Sequence, residues 1–233
     1  MRTLAHISDL HFGRIDEAVL EPLLAAIASI RADVVAVSGD LTQRARKTQF
    51  EQARDFLARI AAPRIVVPGN HDVPLYRVWE RFLSPLGKYQ RIVQSDLEPS
   101  YVDGEIAVLG VNTARALTFK GGRINKEQMK SIERRLKPLG DAVTKVVVTH
   151  HPFDVPDESG DVDLVGRARK AMAVFSECGV DPALRPLPRQ PVGRDDARRD
   201  RRLLGARGAG GDGDLDARPR RRELVQRRAH PEE

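Results

Sequence analysis

The chain has 233 residues, 41% of them hydrophobic, which is enough for one sizeable core and a minor appendage. Its net charge of +6 is concentrated in residues 182–233, where 14 Arg face 9 Asp and Glu, so the nearly neutral body is a poor candidate for a charge-driven nucleic-acid surface. With one cysteine, no apolar run of membrane-spanning length and no leader pattern, the sequence excludes an internal disulfide and points to a cytoplasmic location.

Taken in chain order, short β-rich runs alternate with helical patterns. Leu4 to Ile7 reads as a strand, and Leu20, Leu23, Leu24, Ile27 and Ile30 follow helical spacing with Pro22 near the start. Asp33 to Val37 is a second strand. Phe50, Ala53, Leu57 and Ile60 mark a second helix, and Arg64 to Val67 a third strand. Trp79 and Phe82, spaced on a helix, read as core rather than as a cap over a ligand. Ile106 to Val111 is a further strand. Asn125 can cap a helix running to Leu136, with Gln128 placed to close a capping box. Lys145 to Thr149 is a strand, and Leu164 to Cys178 a last helix that Gly179 can end. Strands alternating with helices of this length predict an α/β architecture with largely parallel neighbours.

In such sheets ligands collect beyond the carboxyl ends of the strands. Four strands here are followed at once by metal-ligand types: Asp9 and His11; Gly39 and Asp40; Gly69, Asn70, His71 and Asp72; and His150, His151 and Pro152. Asp, His and Asn supply the mixed oxygen and nitrogen donors that suit Mn, Fe or Zn. Asp9 and His11, two residues apart, can project from one side of a strand end. Gly39 and Gly69 let the backbone turn where a side chain would block an ion or a phosphate. Asp40, between the other groups, is suited to bridge two cations, and cations about 3.5–4 Å apart are a recurrent device for phosphoryl transfer. Each motif alone has an ordinary explanation as a turn or a hydrogen-bonded strand end. The ordered conjunction on one α/β scaffold does not.

These blocks resemble the first four signature blocks of calcineurin-like metallophosphoesterases. Ile7-Ser8-Asp9-Leu10-His11-Phe12-Gly13 and Gly122-Arg123-Ile124 are most similar to the bacterial class III cyclic-nucleotide phosphodiesterase group. The resemblance spans residues 1–181 and implies a sandwich of two mixed sheets flanked by helices. It implies hydrolysis of a small phosphodiester, such as a cyclic nucleotide or a glycerophosphodiester, by a hydroxide bridging two divalent ions. Asp9 and His11 would hold the first metal, Asp40 would bridge, and Asn70 and His150 would hold the second. His71 would contact the phosphate and protonate the leaving oxygen, with Asp72 orienting its ring. His151 would be a neighbour and His6 a structural strand histidine. Specificity would lie in the segments Tyr76 to Tyr89 and Asn112 to Gly122. Arg123 is left open between a phosphate contact and a solvated side chain.

The family's fifth block, Gly-His-x-His, is absent, since after His151 only His230 remains. The expected sandwich is therefore C-terminally incomplete and its metal binding impaired. Every residue of 182–233 is Ala, Asp, Glu, Gly, Val, Leu, Pro, His, Gln or Arg, the ten types encoded by codons that begin with G or C. A GC-rich gene read out of frame gives this pattern. Shifted by one base, Arg185 to Arg189 permits Gly-His-Phe-His. As written, this Arg/Gly/Pro-rich tail is expected to be disordered and to add no strand. Two competing functions remain: a non-catalytic remnant that binds a metal or phosphate, and nucleic-acid binding through the tail. The tail's lack of Lys and of stacking aromatics weighs against the second.

Overall fold

The computed structural model describes residues 2–117, 121–153, 164–180 and, as backbone, 225–228. The strands are β1 (Leu4–Ser8), β2 (Val34–Ser38), β3 (Arg64–Val67), β4 (Ser100–Val102), β5 (Ile106–Gly110), β6 (Thr144–Val148) and β7 (Val225–Arg228). The helices are α1 (Leu20–Ile30), α2 (Lys47–Ala58), α3 (Val78–Leu83), α4 (Gly87–Ile92), α5 (Lys126–Leu136) and α6 (Ala168–Glu177). One sheet has the order β3-β2-β1-β7 and is parallel throughout. The other has the order β4-β5-β6, with β5 and β6 parallel and β4 antiparallel at its edge.

Strand periodicity explains how the sheets stack. Leu4, Val34, Ala36, Ile65 and Val67 from one sheet share a buried cluster with Ile106, Val108, Val146 and Val148 from the other. The alternate residues Ala5, Ile7, Val35, Val37 and Val66 face a second cluster with Leu23 and Ile27 of α1 and Phe50, Ala53 and Leu57 of α2. On the opposite outer face, Ala107, Leu109 and Val147 pack with Met129 and Ile132 of α5 and Ala171 and Phe175 of α6. Helices thus flank a two-sheet sandwich, and both faces of each sheet are buried. This is why the strands read as near-continuous apolar runs.

Local signals hold at several element ends. Asn125 Oδ1 accepts from Gln128 N at 2.8 Å while Gln128 Oε1 accepts from Asn125 N at 3.0 Å, the expected reciprocal cap. Gly179, at φ +69°, follows α6, which begins at Ala168 rather than Leu164.

Two expectations are corrected. Trp79 and Phe82 are not core, being 81% and 54% exposed, because α3 turns inward the buried Arg81, which donates to the Pro74 carbonyl at 3.0 Å. The tail does contribute a strand: β7 pairs with β1 in the register Ala5↔Val225 to Ser8↔Arg228. Backbone pairing along a sheet edge needs no large apolar side chains, which is why composition missed it. On the far side of β6, Val180 forms a parallel bridge with Lys145. The alternative-frame Gly-His-Phe-His lies outside the described residues. No helix among them is long and apolar enough to cross a membrane.

Candidate metal centre

The carboxyl ends of β1, β2, β3 and β6 converge at one end of the sandwich. Beyond the ends of β1 and β2, backbone pairing continues into the loops: Asp9 N donates to Gly39 O, His11 N to Asp40 O and Phe12 N to Leu41 O, at 3.1, 2.9 and 2.8 Å. This pairing sets Asp9, His11 and Asp40 side by side. Their ligand atoms all lie within 4.8 Å of one another.

The distances favour a shared cation over a hydrogen-bonded cluster. His11 Nε2 lies 3.6 Å from Asp9 Oδ1 and 3.7 Å from Asp40 Oδ2, too long for hydrogen bonds. They suit two donors each about 2.0–2.2 Å from one ion. His11 Nδ1 is buried with no hydrogen-bond partner among the described residues, so this ring gains nothing there from a purely protein environment. Asp9 Oδ2 accepts from Ser8 Oγ at 2.6 Å, which orients the carboxylate.

A second set lies across Asp40. His150 Nε2 is 3.0 Å from Asn70 Oδ1 and 3.3 Å from Asp40 Oδ1. His150 Nδ1 is 2.8 Å from the Ser38 carbonyl, an obligate acceptor, so in the neutral ring Nδ1 carries the proton. Nε2 then points a lone pair at two oxygens, a donor-poor arrangement that a cation satisfies and that second-shell contacts of this kind prepare. Asp40 is fully buried, and its Oδ1 also accepts from His71 N at 2.8 Å.

His71 and Asp72 divide the work differently from expectation. The His71 ring is held by the Gln43 carbonyl, 3.0 Å from Nδ1, not by Asp72. Asp72 accepts from Leu41 N at 3.1 Å, Thr42 N at 2.9 Å, Thr42 Oγ1 at 3.0 Å and Gly69 N at 2.9 Å. It clasps the loop after β2 to the loop after β3. Burial first, and the Asp40 carboxylate second, push the Asp72 carboxyl up to about 6 despite its three backbone donors. The Gln43 carbonyl could not have been found from sequence, since any residue there supplies one.

The two glycines act by close approach. Gly39 is at φ +86°, and a Cβ there would stand 2.7 Å from Gly69 N and 2.9 Å from His150 Cβ. A Cβ on Gly69 would stand 2.2 Å from Asp40 Oδ1. His151 is buried and its Nδ1 pairs with Thr113 Oγ1 at 2.8 Å, while His6 Nε2 pairs with Ser38 Oγ at 2.7 Å. The Arg123 side chain is exposed.

Residues 2–181 match the family model described as calcineurin-like phosphoesterase. The chain is 27% identical over 169 residues to a glycerophosphodiester phosphodiesterase of Enterobacter lignolyticus, covering 68% of this chain and 60% of the relative. It is 25% identical over 159 residues to a probable cyclic nucleotide phosphodiesterase of Synechococcus, covering 64% of this chain and 58% of the relative. The chain thus spans about three fifths of the length of these relatives. In fold it is similar to a purple acid phosphatase of yellow lupin, with a TM-score of 0.58 at 16% identity, over 76% of this chain and 36% of that one.

Proposed function

The chain belongs to the calcineurin-like phosphoesterase family, and from that premise we propose that it is a dinuclear metal-dependent phosphodiesterase. The observation that carries the proposal is Asp40, whose Oδ2 faces His11 Nε2 and whose Oδ1 faces His150 Nε2, at 3.7 and 3.3 Å. A carboxylate so placed serves two adjoining cations. Asp9, His11 and Asp40 would hold one, and Asp40, Asn70 and His150 the other. The donor set suits Mn, Fe or Zn. Bound ions of this kind supply Lewis acidity and an activated water to phosphoester cleavage.

The chain's own groups do the rest. The Gln43 carbonyl keeps the His71 proton on Nδ1 in the neutral ring, which leaves Nε2 to take up a proton and hand it to the departing oxygen. Asp72 fixes the two ligand loops relative to each other. The substrate is a small phosphodiester, in line with what the named relatives act on.

Each cation would have three protein donors in this account, which supports a lower affinity than a fully ligated centre has. It also gives the remnant reading its one support. Stoichiometry separates the two: titration calorimetry with Mn should find two ions per chain, and a single ion would favour the remnant. Hydrolysis of bis(4-nitrophenyl) phosphate should require added Mn and vanish in Asp40→Ala. A rate indifferent to that substitution would overturn the proposal.

A further inference from the structure

The loops that carry the ligands also wall a cavity of about 570 Å³. Arg44, Arg46, Lys47, Tyr76, Arg77 and Lys88 are among its lining residues, and no Asp or Glu is. Glu80 pairs with Arg77 at 2.6 Å and with Lys88 at 2.5 Å, and Glu51 lies 3.6 Å from Lys47. None of the described ion pairs involves Arg44 or Arg46. Arg44 instead lies over the Tyr76 ring, 5.7 Å from its centroid, which pre-positions the guanidinium without neutralising it.

The two arginines sit on a fixed backbone. They straddle Ala45, a non-glycine residue at φ +49° whose N–H donates to Thr42 Oγ1 at 3.1 Å. Gln49 Oε1, largely buried, accepts from both Arg44 N at 3.0 Å and Arg46 N at 3.3 Å. Thr42 Oγ1 in turn donates to Asp72 Oδ1 at 3.0 Å, so the metal centre and the arginine loop share one clasp. Two exposed guanidinium groups carried on an ordered backbone, one of them also seated on the Tyr76 ring, suit a phosphate. The Gln43 carbonyl, 3.0 Å from His71 Nδ1, belongs to the residue just before Arg44, so the loop that lines the cavity is in contact with His71.

We propose that this cavity is a subsite for a phosphate group other than the one cleaved. Among small phosphodiesters, one with an arm that carries a further phosphate would fill this subsite, while a glycerophosphodiester or a cyclic nucleotide, with one anionic group, would leave it empty. Its use as a substrate pocket rests on the hydrolase reading, but the anion site itself does not.

The test is a titration of inorganic pyrophosphate into the 15N-labelled full chain in EDTA, followed by amide shifts. Saturable shifts at residues 44–48 and 76–77 are expected. They should weaken at least about tenfold in Arg44→Gln/Arg46→Gln, as for loss of charge-assisted contacts to a phosphate, while the rest of the spectrum overlays. Shifts confined to the arginines of residues 182–233, or an unchanged affinity in the double variant, would overturn the proposal. Because no metal is present, the outcome is independent of the Mn stoichiometry that tests the hydrolase reading.

Discussion

Asp9, His11 and Asp40 have φ of +58°, +47° and +51°, a region that side-chain-bearing residues seldom enter. Each such position costs about 1–3 kcal/mol and persists only where neighbours enforce it. Here the backbone pairing beyond β1 and β2 does so, and it aims three donors at one point. Gly69 protects the same point, since a methyl group there would collide with Asp40 Oδ1. Gly69→Ala should lower Mn affinity at least about tenfold and stability by about 1–3 kcal/mol, as overpacking does. Gly104→Ala, where a Cβ meets nothing within 4 Å, is the matched control. Calorimetry and chemical denaturation of the two variants check this, and equal Mn affinity in both would refute it. At this scale the candidate donors and their spacing were legible from sequence. The job of Asp72 was not, because besides the nearby Gly69 N–H its partners are groups of residues 41 and 42, which only folding brings near.

The elements are tied at both ends of the sandwich. Opposite the metal centre, Arg2 donates to Asp33 at 2.8 Å and lies 2.9 Å from Asp103, linking the start of β1 to the loop before β2 and to the β4–β5 turn. Asp103 Oδ1 accepts from Glu105 N and Ile106 N at 2.8 and 2.9 Å. Those two bonds, with Tyr101 and Arg2 behind them, hold the Asp103 carboxyl down at about 2, below the ordinary 3.8. A carboxyl depressed on folding stabilises the fold at every pH above its unfolded value and loses that contribution as pH falls through the folded one. The stability gap between the parent chain and Asp103→Ala should therefore be constant above about pH 4 and shrink toward pH 2. Urea denaturation at pH 7, 4 and 2 measures it, and a gap that widens in acid would contradict the assignment. Element existence was readable wherever the apolar period was long. For α3 the helix was read but its buried face was not, since a six-residue helix with a buried Arg81 and an exposed Trp79 inverts the usual pattern.

Over the whole molecule, the described residues between 4 and 180 build the sandwich and the candidate metal centre, and residues 225–228 add β7 beside β1. We propose that residues 182–233 are read out of frame. If so, removal of one base near codon 182 of the encoding DNA should open a frame that contains Gly-His-x-His. The bridge from Val180 to Lys145 supports this, because the chain is already aligned beside β6 where a further strand would begin. A DNA sequence in which no single-base change opens such a frame would sink the idea.

The sequence by itself determined the α/β class, the strand ends that carry the candidate donors and the reciprocal cap of α5. Each depends on periodicity or on residues within four positions of one another. Tertiary structure alone decided three things: that Asp40 faces both His11 and His150, that the Gln43 carbonyl rather than Asp72 holds the His71 ring, and that Arg44 and Arg46 wall a cavity with Tyr76. These relations join residues from 28 to 110 positions apart or depend on backbone carbonyls, which every residue has. Pattern along the chain records what a residue is. Which oxygen it meets is set by how the two sheets close on each other.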